Sequence, residues 1–454
     1  MKLTFLGATN TVTGSKYLLE HNQQTYLIDC GLYQGVKYLR ERNWIVPPIS
    51  VSKLNAVILT HAHIDHSGYL PALVKNGFTG PVFCTEGTHE LCKILLPDAG
   101  FLQEEDARFA NKYSFSKHKP ALPLYTEKDA EHSLKQFRSC AYHSPLALPG
   151  DLQLSFSPTG HILGASAVQL TSASTNTTLT FTGDLGRYQD LMMYDPEPIN
   201  TTDYLVTEST YGDRLHDPID ALDVLQKIIT KTTNRGGIVL IPAFAVGRAQ
   251  LILHLVAELI EKNRINKIPV FLNSPMAISA TEIYQRFHHE LKLTATDCNR
   301  IDQYTHYVKT VAESIDLNTR QFPCVIISAS GMASGGRVLH HLKAICGNYR
   351  NSIVFVGFQA PGTRGESMIN GVDQVKIHGK YYPVKAEIHH LDNFSAHGDY
   401  KDILTWLKMI KSPPKCTFIT HGEPAAADSL RLKVKDQLGW KCCVPSYRDS
   451  IELK

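Results

Sequence analysis

Thr60-His61-Ala62-His63-Ile64-Asp65-His66-Ser67-Gly68 is the stretch whose reading decides the fold. Directly upstream, Ala56-Val57-Ile58-Leu59 is a short aliphatic and β-branched run that predicts a buried strand. Directly downstream, Gly68-Tyr69-Leu70-Pro71-Ala72-Leu73 predicts the start of a helix with Pro71 in its first turns. His61, His63, Asp65 and His66 are therefore expected on a strand-to-helix loop, where side chains converge without disturbing a core. Three imidazoles and a carboxylate this close together suit a borderline cation such as Zn²⁺, which takes nitrogen and oxygen ligands at about 2.0–2.2 Å. Alternation along an extended segment points His61 and His63 the same way, leaving Asp65 and His66 to turn toward a neighbouring ion. A solvent-facing loop is the bland alternative; the density of ligands in a strand-loop-helix setting favours a metal site.

The chain is 454 residues long, beyond the roughly 250–300 residues at which single cores split, so two domains are expected. With 43% apolar and 20% charged residues it has the composition of an ordinary globular protein. A net charge of +3 is too mild to identify a polyanionic partner, so any such surface must be local. The ten cysteines show no C-x₂-C spacing and mostly sit in apolar runs, the pattern of reduced, buried thiols and of a cytoplasmic protein without a zinc finger. Residues 1–7 alternate like a strand and lack the apolar core of a signal peptide. No run approaches the roughly 20 apolar residues of a membrane span, so no membrane partner is expected. Oligomeric state is open on sequence alone, a homodimer included.

Three short strands are predicted at 2–6, 16–20 and 25–29. The third ends in Asp29, which either caps a turn or accepts the spare N–H of a ligating histidine. Residues 87–140 read mostly as amphipathic helix. Within them Lys112 to Lys119 cluster cations with Tyr113 and Phe115, read as a solvated helix end in preference to a nucleic-acid patch. Predicted strands at 152–156 and 178–182 lead into Gly-flanked loops that present His161 and Asp184, and a further strand ends in Glu208. From 219 to 356, amphipathic helices (219–233, 247–262, 276–289, 335–346) alternate with buried runs (238–241, 269–273, 324–327, 353–356), the pattern of a parallel α/β sheet. Three of those strands run into Gly-containing turns, 242–248, 328–337 and 357–365, which carry Arg248, Arg337 and Arg364. Ligands bind at the carboxyl ends of strands in such sheets, and Arg is a bidentate phosphate partner. Ser330, Gly331, Gly335, Gly362 and Thr363 are accordingly candidate phosphate contacts, against a bland reading of tight helix–strand packing. A segment from His389 through Phe394-Ser395-Ala396-His397 to Tyr400 then precedes a helix at 400–410, and a strand at 416–420 ends in His421.

The H-x-H-x-D-H motif in its setting resembles the metallo-β-lactamase superfamily, hydrolases with a two-metal centre at one edge of an αββα sandwich. That resemblance implies His61, His63 and His161 on one ion, Asp65, His66 and His421 on the other, with Asp184 bridging. It also carries an Asp at the position of Asp29, favouring a role beneath the ligands. The inserted α/β segment, Glu208 after its strand, and the Phe-Ser-x-His context of His397 narrow the resemblance to the β-CASP nucleases, over essentially the whole chain. The fold class implied is α/β, a metallo-β-lactamase sandwich with an inserted parallel-sheet β-CASP domain that roofs the active-site cleft. The expected division is 1–208, 209–368 and 369–454. His421 matches the His of RNA-processing members, where DNA-repair members typically have Val, and the fit resembles bacterial and archaeal relatives of the polyadenylation-cleavage endonuclease. The resemblance therefore implies a ribonuclease with two Zn²⁺ ions, Mn²⁺ being able to substitute, acting endonucleolytically, 5′-exonucleolytically or both. In that chemistry Asp65 orients the attacking water, His397 is the general acid, and Glu208 sets its tautomer. A DNA nuclease of the same family, a thioester or lactam hydrolase of the same fold, and a non-catalytic RNA-binding scaffold are the alternatives.

Overall fold

In the computed structural model all residues are described except Val46, Phe115, Pro218, Ile219, Gln321 and Pro361, and the side chain of Asn393. Phe115, Pro361 and Ile219, named above in a cation cluster, a turn and a helix, thus lie outside the described residues. The chain forms two compact units. One comprises Met1–Asp190, Tyr194–Leu215 and His397–Lys454, the other Leu191–Met193 and His216–Ala396.

The first unit is built on two seven-stranded sheets. One runs in the spatial order Ser450–Glu452, Lys2–Phe5, Tyr17–His21, Gln24–Ile28, Ala56–Ile58, Val82–Thr85 and Phe137–Cys140. The other runs Cys442–Cys443, Cys416–Ile419, Tyr204–Thr207, Thr178–Phe181, Ser166–Ser172, Leu152–Pro158 and Leu146–Leu148. Strand alternation turns Leu3 and Phe5 inward, and the inner faces of both sheets meet in one core where Phe5 and Phe418 lie 5.2 Å apart and Tyr17 and Phe181 5.4 Å apart. Each large apolar side chain buried there contributes about 1.5–3 kcal/mol of transfer free energy. Helices cover the outer faces. Ile403, Trp406 and Leu407 of Tyr400–Lys408 and Leu430 and Val434 of Pro424–Leu438 pack on Leu205 and Ile419, while Glu86–Lys112 lies against Val82–Thr85 and Phe137–Cys140. This is the expected αββα sandwich.

Three neighbouring strands of the second sheet, Thr178–Phe181, Tyr204–Thr207 and Cys416–Ile419, run parallel, with Phe181 paired to Val206 and Thr207 to Ile419. Their carboxyl ends therefore open on the same edge and deliver Asp184, Glu208 and His421 together. In the first sheet Gln24–Ile28 and Ala56–Ile58 are also parallel, with Ile28 opposite Ile58, so Asp29 emerges beside Thr60 and His61. Gly31 then passes so close to the ligand-bearing segment that a Cβ there would lie 1.6 Å from the Asp65 carbonyl oxygen, which excludes any side chain.

The second unit is a six-stranded, wholly parallel sheet in the order Thr305–Tyr307, Val270–Leu272, Val325–Ser328, Val239–Pro242, Ser352–Val356 and Glu387–Leu391. The parallel α/β pattern is thus present, with two strands more than sequence patterning suggests, Thr305–Tyr307 and Glu387–Leu391. Glu387–Leu391 pairs in parallel with Ser352–Val356 from Glu387 to Leu391, so this compact unit continues to Ala396 where the sequence division ended at 368, and begins near 216 where it began at 209. His389 and His390 belong to that strand and not to the metal-bearing unit. A polar Glu-Ile-His-His run disguises an edge strand, because its outer face and edge need not be apolar.

All ten cysteines are free thiols, six of them buried. Among the described residues no helix is long and apolar enough to cross a membrane.

Candidate metal centre

The residues at the edge of the sandwich are placed by local turns before they meet. Leu59 leaves the strand, His61 and His63 follow in extended chain, and Ile64–Ser67 then closes a single helical turn. Asp65 and His66 therefore sit on a short helix and not on an open loop, with the His66 ring 4.1 Å from that of His61. His161 comes from the turn between Leu152–Pro158 and Ser166–Ser172. His421 sits in the left-handed region at φ 48° and is pinned by its own N–H on the Ala8 carbonyl at 2.7 Å.

The side chains form two groups around one carboxylate. His63 Nδ1 lies 3.1 Å from His61 Nε2 and 3.2 Å from His161 Nε2. His66 Nε2 lies 3.1 Å from His421 Nε2, which is 3.3 Å from Asp65 Oδ2. Asp184 divides its oxygens between the groups: Oδ2 faces His61 Nε2 at 3.4 Å and His161 Nε2 at 3.5 Å, and Oδ1 faces His66 Nε2 at 3.3 Å, while His421 meets Oδ1 through Nδ1, the nitrogen that also meets Thr210, at 3.5 Å. Ligands about 2.0–2.1 Å from a tetrahedral ion are about 3.3 Å from one another, so these spacings are coordination edges more than hydrogen bonds. Asp184 Oδ1 is also buried without a hydrogen-bond donor, a costly state for a carboxylate that a cation relieves. The donor set fits a metal pair.

The electrostatics point the same way. Burial, with the mutual repulsion of the cluster, pushes the imidazole pKa values of His61 and His161 down and that of His63 to about 3, keeping them in the neutral form that ligates metal. Burial works against charge on His66 as well, but Asp184, Asp29 and Asp65 outweigh it and hold its pKa well above the ordinary value. For Asp65 and Asp184 burial is outweighed by the histidines, and both carboxyls are held below the usual range.

Beneath the ligands, Asp29 accepts from His66 Nδ1 at 2.8 Å and from the Thr60 amide and hydroxyl at 2.8 and 3.0 Å. That fixes the His66 tautomer with Nε2 directed to the cluster. Thr60 Oγ1 also lies 3.1 Å from His61 Nδ1, and Thr210 Oγ1 lies 3.1 Å from His421 Nδ1. Sequence reading missed both threonines; their only signal is adjacency, Thr60 one residue before His61 and Thr210 two after Glu208. Buried Lys16 donates to the Gly31 carbonyl between the rings of Tyr33 and Tyr69, bracing the turn that carries Asp29.

His397 stands beside the cluster. A backbone bridge to Gly186 holds it, its ring is 4.4 Å from that of His161, and Nδ1 lies 3.2 Å from Glu208 Oε2 and 3.8 Å from Asp184 Oδ2. Desolvation lowers its pKa, but Glu208 and Asp184 outweigh this and raise it to about 9. Glu208, buried, also accepts from the Leu185 amide at 2.6 Å, so it anchors the turn carrying Asp184 as well as His397. The side chains of Asp65 and His397 are 20% and 18% exposed, while those of His61, His66, His161 and Asp184 are buried. Substrate approaching from solvent meets Asp65 and His397 first.

The second unit's three turns meet at the carboxyl end of its sheet. Gly365 N–H donates to the Met332 carbonyl, and a Cβ on Gly331 would touch the Phe244 ring. Their arginines, however, are braces. Arg248 is buried and donates to the Phe394 carbonyl, and Arg337 donates to Asn273 Oδ1 and to the carbonyls of Val308 and Lys309. Arg364 donates to the carbonyls of Lys376, Ala333 and Ser334 at 2.8–3.2 Å. Thr363 caps the helix Arg364–Ile369, and Gly331 is a packing glycine, whereas Ser330, Gly335 and Gly362 lie in the accessible parts of the turns. Each guanidinium fork thus satisfies carbonyls that a tight turn leaves unpaired. Arg364→Ala is expected to destabilise the protein by about 1–3 kcal/mol, read as a lowered denaturation midpoint, and Arg364→Lys should not restore it.

Residues 10–145 match the Metallo-beta-lactamase superfamily, residues 249–368 the Beta-Casp domain, and residues 381–445 the Zn-dependent metallo-hydrolase RNA specificity domain. The chain is 34% identical over 430 residues to the ribonuclease TTHA0252 of Thermus thermophilus, covering 93% of each protein. It is 29% identical over 475 residues to the transcription termination factor FttA of Methanocaldococcus jannaschii, covering all of this chain and 72% of that one. The corresponding factor of Methanosarcina mazei is 30% identical over 458 residues, covering 96% of this chain and 69% of that one. A crystal structure of a protein of unknown function from Enterococcus faecalis superposes over the whole chain and 99% of its own at TM-score 0.58 and 14% identity, which supports the fold.

Proposed function

This chain belongs to the β-CASP branch of the metallo-β-lactamase superfamily, and from that membership we propose a two-metal ribonuclease that hydrolyses RNA phosphodiester bonds. One observation carries the reading: the two oxygens of Asp184 are shared between two histidine groups at ligand-edge spacing, beside a His397–Glu208 pair. His61, His63 and His161 would hold one ion and Asp65, His66 and His421 the other, Asp184 bridging, with Zn²⁺ suited to the nitrogen-rich set and Mn²⁺ able to substitute. Bound in that set, the ions lower the pKa of water and neutralise charge developing on the phosphate oxygens.

The protein's own groups do the rest. Asp65, reachable from solvent, accepts a proton of the attacking water and aims its oxygen at phosphorus. As the bond from phosphorus to the ribose oxygen breaks, His397 gives the Nε2 proton to that oxygen. Its Nδ1–H stays with Glu208, which fixes the tautomer and stabilises the imidazolium before transfer.

The test pairs elemental analysis with cleavage of 5′- and 3′-labelled RNA and DNA of the same sequence. Two ions of the zinc type per chain and RNA cut much faster than DNA are expected. Absence of bound metal together with no activity on adding Zn²⁺ or Mn²⁺ would sink the hydrolase reading, and equal or reversed rates would move the substrate to DNA. The two labels show whether cutting is internal or from the 5′ end.

A further inference from the structure

The helix Glu86–Lys112 begins at the metal centre's edge and ends far from it. Thr88 Oγ1 donates to the Gly164 carbonyl at 2.9 Å, in the turn that carries His161. The helix then packs through Leu91, Cys92, Leu95, Leu96 and Gly100, after which Ala110 is its only buried residue, so the last three turns stand clear of the core. On that projecting end the rings of Phe109 and Tyr113 stack nearly parallel, 6.1 Å apart at 6°, although they are 47% and 61% exposed. Lys112 lies over the Tyr113 ring at 5.5 Å. The chain leaves the helix through exposed Lys117, His118 and Lys119, and the Asn111 side chain ties the loop off with two bonds to Ala121.

Charge is concentrated here. Residues 107–126 contain Arg108, Lys112, Lys117 and Lys119 and no Asp or Glu, more formal positive charge than the net +3 of the whole chain. The three acids just before them, Glu104, Glu105 and Asp106, offset part of this, and Glu105 pairs with Arg108, which leaves Lys112, Lys117 and Lys119 as the cations of the exposed end. A second segment also exposes rings beside cations, Tyr38 and Trp44 at 61% and 60% with Lys37 and Arg40, with Lys37 paired to Glu41 inside it. It adjoins the helix, since Arg40 acts electrostatically on Asp106. Exposed aromatic rings interleaved with cations are poor candidates for a merely solvated helix end: stacked rings keep apolar area in water, and bases are the ligands that take both ring faces and charge.

We propose that the Phe109–Tyr113 stack, with Lys112, Lys117 and Lys119, is a docking platform for single-stranded RNA, holding the substrate away from the bond being cut. This inference rests on the ribonuclease reading and adds to it a remote anchoring site. From Thr88 to Tyr113 the helix spans about 37 Å at ~1.5 Å per residue. At ~3.4 Å per nucleotide, a fully stacked strand of roughly 11 nucleotides reaches along the helix from the platform to Thr88. The platform therefore selects long substrates.

The experiment measures fluorescence-anisotropy affinity and steady-state cleavage of an RNA of about 25 nucleotides and one of about 5, with the full chain carrying its metal. Phe109→Ala/Tyr113→Ala should weaken binding of the long RNA about 10–100-fold, raise KM alike, and leave kcat and the short RNA unaffected. Lys117→Gln/Lys119→Gln should make the slope of log K against log salt shallower by about 1.4. Unchanged long-RNA affinity in both variants, with wild type binding and cutting RNA, overturns the platform and leaves the ribonuclease intact. A fall in kcat on both RNAs also overturns it, by showing that the residues support the fold. So does a change of oligomeric state by light scattering with RNA affinity unchanged, which would make the face a self-association surface. A wild-type protein that neither binds nor cuts RNA removes the ribonuclease reading and the platform with it.

Discussion

Asp184→Asn is expected to lower RNA cleavage at least ~10³-fold and to reduce bound metal from two ions to one or none. The magnitude follows from the several kcal/mol of charge stabilisation that a metal pair supplies, at a factor of ten per 1.36 kcal/mol. Asn keeps the volume of Asp but replaces one oxygen with an N–H₂ group. In this position that group faces either the His61–His161 pair or the His66–His421 pair at 3.3–3.5 Å, where a donor repels a cation. The change also removes the buried negative charge that holds the His66 imidazole pKa up. Elemental analysis and turnover on labelled RNA check the prediction, with a thermal unfolding scan showing that the variant folds. Two retained ions with near-normal turnover would mean that Asp184 bridges nothing.

His397→Ala should lower kcat by roughly 10²–10⁴-fold, the range for a positioned general acid, while both ions stay bound and RNA affinity changes little. The geometry separates this residue from the ligands: its Nδ1 approaches Glu208 at 3.2 Å and Asp184 only at 3.8 Å, on an imidazole partly open to solvent. Glu208→Gln should resemble it in kind but more mildly, since an amide oxygen can still accept from the Leu185 amide while its N–H₂ turns toward His397 Nδ1. Loss of an ion in His397→Ala would make His397 a ligand and refute the acid assignment. Near-normal turnover with both ions bound would hand the proton to another group.

Much of this was legible because the chemistry is written in dense local motifs at strand ends. His61, His63, Asp65 and His66 announce themselves within one loop, and the alternation of helix and strand from 219 to 356 gives a parallel sheet. His161, Asp184 and His421 are each a lone loop residue; only the demand for partners singled them out, and parallel strand pairing is what brings Asp184 and His421 together. Asp29 shows how a positive-φ residue at a strand end is fixed by what lies across the sheet, since its φ of 56° aims the carboxylate at Thr60 and His66. The arginines illustrate the converse. Sequence shows that a cation stands beside a Gly-rich turn, but whether it serves a ligand or the turn's own carbonyls depends on strand order and side-chain direction. The strand Glu387–Leu391 was hidden by its polar residues.

The interrupted second sheet sets the order in which the protein can become active during synthesis. Thr178–Phe181 and Tyr204–Thr207 are made early, but their parallel neighbour Cys416–Ile419, and His421 behind it, are made only after the whole inserted unit. A nascent chain halted between residues 184 and 416 has the His61, His63 and His161 group but lacks His421 at the other. The second histidine group is therefore completed only once the inserted unit has been made.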